Sequence, residues 1–211
     1  MEDNYGWSVT YPMATLTTTS QRLPNQPTSE AHTKNLGLLS DFLAKLPFFV
    51  KVNSGYRSPA VNDAVGGTAT SQHPNGLAAD IQVSALKGQP WAAGVTNKDL
   101  ATYFWYYRDK LPELDQVIWY TTKSHTHIGI CPPGATGCPP KAPRGEFLIS
   151  GVKEPWSPSS ADMSTTGAKL LIAMGPPGGF PVAKALAIGG ATLLSLTGLG
   201  LMYYYVWRPR S

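Results

Sequence analysis

The sequence predicts an α+β fold, because helical patterns and short apolar strand patterns follow one another without the regular alternation that builds a parallel α/β sheet. Three observations carry this. Leu36, Leu38, Leu39, Phe42, Leu43 and Leu46 recur at helical spacing. Short apolar runs at 48–52, 77–83, 115–119 and 125–130 suit strands. A run without charge, 185–207, stands apart at the C-terminus and reads as one transmembrane helix.

In chain order, residues 1–28 are rich in Thr, Pro, Asn and Gln and read as an extended N-terminal arm. Met1 to Met13 has neither a basic start nor an apolar core, so no signal peptide is expected. A domain over 29–152 follows. Ser29 or Thr28 is the expected cap of its first helix, with Glu30 in the first turn favourable to the helix dipole. A strand at 48–52 leads into Ser54-Gly55-Tyr56-Arg57-Ser58. Residues 59–65 suit a short helix ended by Gly66 and Gly67. The strand at 77–83 is next, then a helix over 97–111 that buries Leu100, Tyr103, Phe104 and Tyr107, then the strands at 115–119 and 125–130. Residues 153–184, rich in Pro, Gly and Ser, read as a linker to the 185–207 span. As a helix those 23 uncharged residues reach roughly 34 Å, and Tyr203, Tyr204, Tyr205 and Trp207 form an aromatic belt ahead of Arg208 and Arg210.

Composition excludes one class of partner. The net charge of +4 is small and scattered, with no basic cluster interleaved with aromatics, so no nucleic acid is expected. The two cysteines, Cys131 and Cys138, bracket six Gly- and Pro-rich residues that a disulfide can close. A reduced pair in a cytosolic protein is the other reading. Two thiols do not make a structural zinc site by themselves.

The chemistry concentrates in two motifs. Ser71-Gln72-His73-Pro74-Asn75-Gly76-Leu77-Ala78-Ala79-Asp80 sets a histidine in a loop and an aspartate seven positions later in an apolar strand. A carboxylate between Ala79 and Ile81 needs a cation or a metal beside it. Imidazole nitrogen and carboxylate oxygen both suit Zn2+, which takes three protein ligands in a catalytic site. His125-Thr126-His127 offers the third, since residues two apart on a strand share a face. His32, on the first helix, reads as an exposed surface residue.

With Ser54-Gly55-Tyr56-Arg57-Ser58-Pro59-Ala60-Val61-Asn62, Ala64-Val65-Gly66-Gly67 and Asp115-Gln116-Val117-Ile118-Trp119 added in this order, the chain resembles the zinc D-alanyl-D-alanine carboxypeptidases and phage peptidoglycan endopeptidases. That group also includes vancomycin-resistance dipeptidases and the Hedgehog signalling domain. The resemblance covers about residues 29–130. It implies a small antiparallel sheet with flanking helices around a zinc site, and His73, Asp80 and His127 as the ligands. It further implies that Arg57 holds a substrate carboxylate or polarises the scissile carbonyl, and that Ser71 hydrogen-bonds substrate or only caps its loop. The substrates implied are peptides of bacterial peptidoglycan.

One departure stands out. Many relatives carry a carboxylate shortly before the last histidine, but Tyr120, Thr121, Thr122, Lys123 and Ser124 fill that interval here. His125 is the expected general acid/base, its ordinary pKa range being suitable. A more distant Asp115 or Glu113, or lost catalysis, remain the other readings. The expected whole is a zinc peptidase anchored in a lipid bilayer through 185–207. A phage origin, with the domain on a virion or host membrane facing the cell wall, reconciles a wall substrate with the missing signal peptide. A zinc-stabilised wall-binding or structural virion membrane protein without activity is the alternative.

Overall fold

The computed structural model describes residues 10–83, 90–150 and 152–178. A four-residue helix, α1 (Met13–Leu16), opens the described chain. The first long helix, α2 (Glu30–Ala44), starts where Ser29 accepts the backbone N–H of His32, and it buries Leu36, Leu39, Phe42 and Leu43. β1 (Val50–Ser54) and a short α3 (Pro59–Ala64), with proline in its first turn, come next. A single 3-10 turn, His73–Asn75, precedes β2 (Ala78–Val83). α4 (Asn97–Tyr106) is capped by Thr96, whose side chain and that of Asp99 close a reciprocal capping box. β3 (Leu114–Trp119) and β4 (Thr126–Ile130) follow, then β5 (Glu146–Ile149), β6 (Val152–Pro155), α5 (Ser160–Ser164) and α6 (Thr166–Ala173).

The strands form one six-stranded sheet in the order β1-β2-β4-β3-β5-β6. The expected antiparallel sheet is corrected here, because β5 runs parallel to β3. After β4 the chain detours through 131–145 before adding β5 at the far side of β3, and that return sets the parallel pairing. The sheet has two unlike faces. Val50, Val52, Ile81, Val117, Ile128, Ile130 and Phe147 pack with Leu36, Leu39, Leu43, Leu100 and Phe104 into one core. The opposite face carries Asp80, His127, Ile118 and Leu148 in register.

Two segments read as peripheral pack into the domain. Within the arm, Leu16 is 1% exposed and Tyr11 9%. The Tyr11 hydroxyl accepts the N–H of Val50 and the Tyr11 N–H donates to Ser40. Within the stretch read as a linker, Trp156, Ala168 and Leu171 are buried, and the hydroxyls of Tyr103 and Tyr107 donate to the carbonyls of Gly175 and Ile172. Tyr11, Leu16 and Trp156 are single apolar anchors without periodicity, and α6 is only eight residues long between Pro- and Gly-rich flanks, so neither segment stands out in sequence.

The C-terminal span is also corrected. Among the described residues no helix is long and apolar enough to cross a membrane. The longest, α2, has 15 residues, about 22 Å against a hydrocarbon core of about 30 Å, and one of its faces is built for the core. The stretch 185–207 lies outside the described residues. The lipid-bilayer contact and the virion or host-membrane localisation rested on that span and lose their support with it.

Candidate metal centre

The centre is assembled by three short segments. Asp80 on β2 stands directly across from His127 on β4, so both side chains emerge on the same face. Ser54 at the end of β1 flanks Asp80 on the other side. The 3-10 turn then lowers His73 onto this pair. His73, Asp80 and His127 are all buried, and one potential ligand atom from each lies within 4.8 Å of the others.

The turn carrying His73 is held from several sides. Gly76 adopts φ +71, closing the turn where a side chain would be strained. Gln72 donates from Nε2 to the carbonyl of Ile130 and lies over Gly129, where a Cβ would meet its Oε1 at 2.0 Å. Asn35 of α2 donates to the carbonyls of Asn75 and Thr136 and accepts the N–H of Thr136. It thereby joins the His73 turn to the loop between Cys131 and Cys138. These two cysteines are disulfide-bonded, with Cα atoms 5.7 Å apart.

His73 donates from Nδ1 to the carbonyl of Gly55 at 2.6 Å. That bond fixes the tautomer, since a carbonyl only accepts, and it leaves Nε2 as a bare lone pair. Nε2 is buried without a hydrogen-bond partner and faces Asp80 Oδ1 at 3.4 Å. Two acceptors thus point at each other out of reach of water, an arrangement that a cation between them relieves. His127 Nδ1 reaches the same carboxylate oxygen at 3.2 Å. The donor set of two imidazoles and one carboxylate fits zinc with an open coordination position.

Charge follows from this packing. Burial pushes the His73 imidazole below its ordinary pKa, against the opposing pull of Asp80. Burial alone would raise Asp80, but His73 and His127 outweigh it and hold the carboxyl well below the usual carboxylate range. Arg57 pairs with Asp80 through an Nη donor and is steered by its Nε bond to Ser54 Oγ. Its guanidinium therefore belongs to the centre instead of to a surface salt bridge. Ser71 Oγ accepts the N–H of His73 at 3.4 Å, so its hydroxyl caps the turn.

His125 sits at the rim, with Nε2 3.8 Å from Asp80 Oδ2 and its side chain 18% exposed. Burial lowers its pKa, leaving the imidazole neutral and able to accept a proton near neutral pH. Both carboxylates weighed as distant bases are engaged elsewhere. Asp115 is wholly buried and held by Arg144, and Glu113 pairs with Lys45. His32 is half-buried, its ring centroid 5.4 Å from that of Tyr56, and so is not the exposed residue expected.

Two contributors escaped the sequence reading. Tyr120 packs edge-to-face on His125 at 5.2 Å, and burial followed by the charge of Asp80 raises its phenol pKa. Asn97 donates from Nδ2 to the carbonyls of Tyr120 and Lys123, both at 2.7 Å, while its own carbonyl accepts the Thr126 hydroxyl. The first residue of α4 therefore fixes the segment that presents His125. An asparagine beside a helix start reads as a cap in sequence, and nothing local marks the distant carbonyls it serves.

The family model for Peptidase M15 matches residues 11–111. That match takes in Arg57, Ser71, His73 and Asp80, and it begins inside the segment read as an arm. No curated protein matches the chain.

Proposed function

Through residues 11–111 the chain belongs to the Peptidase M15 family, whose metal is zinc, and on that premise we propose that it hydrolyses a peptide bond of bacterial peptidoglycan as a D,D-carboxypeptidase or endopeptidase. His73 through Nε2, Asp80 through its carboxylate and His127 through a ring nitrogen would hold the metal. When bound there, zinc supplies a Lewis acid that polarises a carbonyl and makes water easier to deprotonate. His125 Nε2 takes the proton of the attacking water and hands it to the leaving amine. Arg57, kept in place by Ser54 and Asp80, faces the substrate with a fixed positive charge.

The observation that carries this reading is the buried lone pair of His73 Nε2 turned on the Asp80 carboxylate. A purely structural polar cluster would satisfy that atom with a donor. The test is the full chain on purified peptidoglycan, with zinc or with chelator, and mass spectrometry of released fragments. Zinc-dependent release supports the reading and identifies the bond. His125→Ala should keep stoichiometric zinc and lose about 10²–10⁴-fold in kcat.

A second reading, a zinc-stabilised wall-binding module, is favoured by the missing carboxylate between Trp119 and His125. It predicts bound zinc, retained wall binding and no fragment release. His125→Ala would then change nothing.

A further inference from the structure

The stretch 55–58, between β1 and α3, has no regular secondary structure, yet it carries Arg57. Buried backbone polar groups in such a stretch must find partners outside it. The Gly55 carbonyl accepts the Nδ1–H of His73, the Tyr56 N–H donates to Leu16 and the Arg57 N–H donates to His73. Two more groups, one on each side of the Arg57 Cα, go to a single side chain. Asn25 Nδ2 donates to the Tyr56 carbonyl at 2.9 Å, and Asn25 Oδ1 accepts the Ser58 N–H at 2.7 Å. Nδ2 also donates to the Thr17 carbonyl, at 2.8 Å, at the end of α1.

Asn25 is 5% exposed and lies in the Thr-, Pro- and Gln-rich segment that shows no periodicity. A primary amide meets this demand, because two carbonyls need two protons and the N–H needs an oxygen. What the amide fixes is a direction. A Cα–Cβ bond is oriented by the two planar peptides that flank it. At Arg57 the preceding peptide is gripped at both polar ends, by Asn25 on its oxygen and by His73 on its nitrogen. The following peptide is gripped at its N–H by the same Asn25. Ser54 Oγ on Nε, at 2.8 Å, and the Asp80 carboxylate on Nη2 then complete the path of the side chain. Ser58 Oγ adds a bond to the Pro24 carbonyl at 2.8 Å, so two neighbouring residues of the arm hold the same stretch.

We propose that Asn25 is a positioning residue for Arg57: its amide clamps the backbone on both sides of the arginine and thereby aims the guanidinium beside the metal centre. This deepens the peptidase reading and rests on it for the effect on turnover, whereas the clamp itself is independent of any reaction. The guanidinium lies at the far end of a long side chain, so a small rotation at the Cα is enlarged at the charged tip. A misplacement of about 1 Å costs up to about 10²-fold in rate.

The test is a double-mutant cycle on the zinc-loaded full chain, with a synthetic peptide spanning the bond that mass spectrometry identifies. Asn25→Ala should lose about 10–100-fold in kcat/KM. Arg57→Ala should lose about 10²–10³-fold. The double variant should be within about 3-fold of Arg57→Ala alone, because a positioning residue then has nothing left to position. Losses that multiply overturn the inference, since Asn25 would then only support the fold. Should Asn25→Ala not fold, Ser58→Ala loosens the clamp at its half-buried edge and takes its place, with an expected loss of about 5-fold that vanishes beside Arg57→Ala. A second readout needs no substrate. The Arg57 Nε–H, bonded to Ser54, should exchange with solvent at least about 10-fold faster in Asn25→Ala, while the Ile128 N–H in mid-sheet keeps its rate. Both protons speeding up alike, or neither, overturns the clamp. If no peptide is cleaved, the peptidase reading fails on its own and the exchange rates decide the inference.

Discussion

Gly55→Ala should damage the metal centre from a distance. Gly55 is glycine because of a close approach: a Cβ there would lie 2.3 Å from the carbonyl oxygen of Leu16 and 3.0 Å from its carbonyl carbon. Those are backbone atoms of α1, which a rotamer change cannot move aside. The Gly55 carbonyl receives the Nδ1–H of His73, and the next residue, Tyr56, donates its N–H to Leu16 at 2.7 Å. Relieving the clash must part the arm from β1 or shift the carbonyl that sets the His73 tautomer. Overpacking of this kind costs about 1–3 kcal/mol, and the buried bond from Tyr56 adds about 1 kcal/mol. A loss of about 2–4 kcal/mol in unfolding free energy is expected, with zinc affinity down about 10–100-fold through the disturbed partner of a ligand. Urea denaturation gives the first and chelator competition the second. Gly37→Ala is the control: it lies on the exposed side of α2 with nothing within 4 Å, and should be neutral or gain up to about 1 kcal/mol. A Gly55→Ala protein with wild-type zinc affinity would refute the coupling between arm and centre.

Three further outcomes follow from the same geometry. Asn35→Ala strips partners from Asn75 and Thr136, and should cost about 2–4 kcal/mol in denaturation while weakening zinc, because Asn75 belongs to the His73 turn. Chelation should lower the thermal midpoint and zinc restore it, by about 2.7 kcal/mol at a hundredfold excess over Kd; an unchanged midpoint would speak against the ligand set. At Asp162, burial raises the carboxyl pKa, but Lys98 and Ser159 outweigh it and hold the group below its ordinary value. The sign is that of a depressed acid: its stability is present above the unfolded pKa of about 3.9 and lost as pH falls through the folded value. Lys98 is 35% exposed, so water screens the pair and the effect is small. Asp162→Asn should therefore flatten the acid limb of the stability curve below about pH 4 without touching zinc affinity.

What the sequence made legible was the chemistry that looks out of place. Asp80 stands among Ala78, Ala79 and Ile81, and three of the four histidines fall in two motifs, so the candidate ligand set is readable without a fold. What it hid was contact made by single residues. Leu16 alone docks α1, Asn97 spends its side chain on carbonyls 23 and 26 positions away, and Trp156 reaches the core from a stretch of Pro and Ser. Periodicity detects faces, and a lone anchor has none. The parallel placement of β5 was hidden for a related reason, since a four-residue strand after a Pro- and Gly-rich loop carries no sign of its partner. The C-terminal run was legible only as a pattern: 23 uncharged residues meet the solvation requirement for a membrane helix, and they lie outside the described residues. The candidate site stands out despite this asymmetry because its residues announce themselves by cost: a buried carboxylate and a buried bare nitrogen each call for a compensating partner.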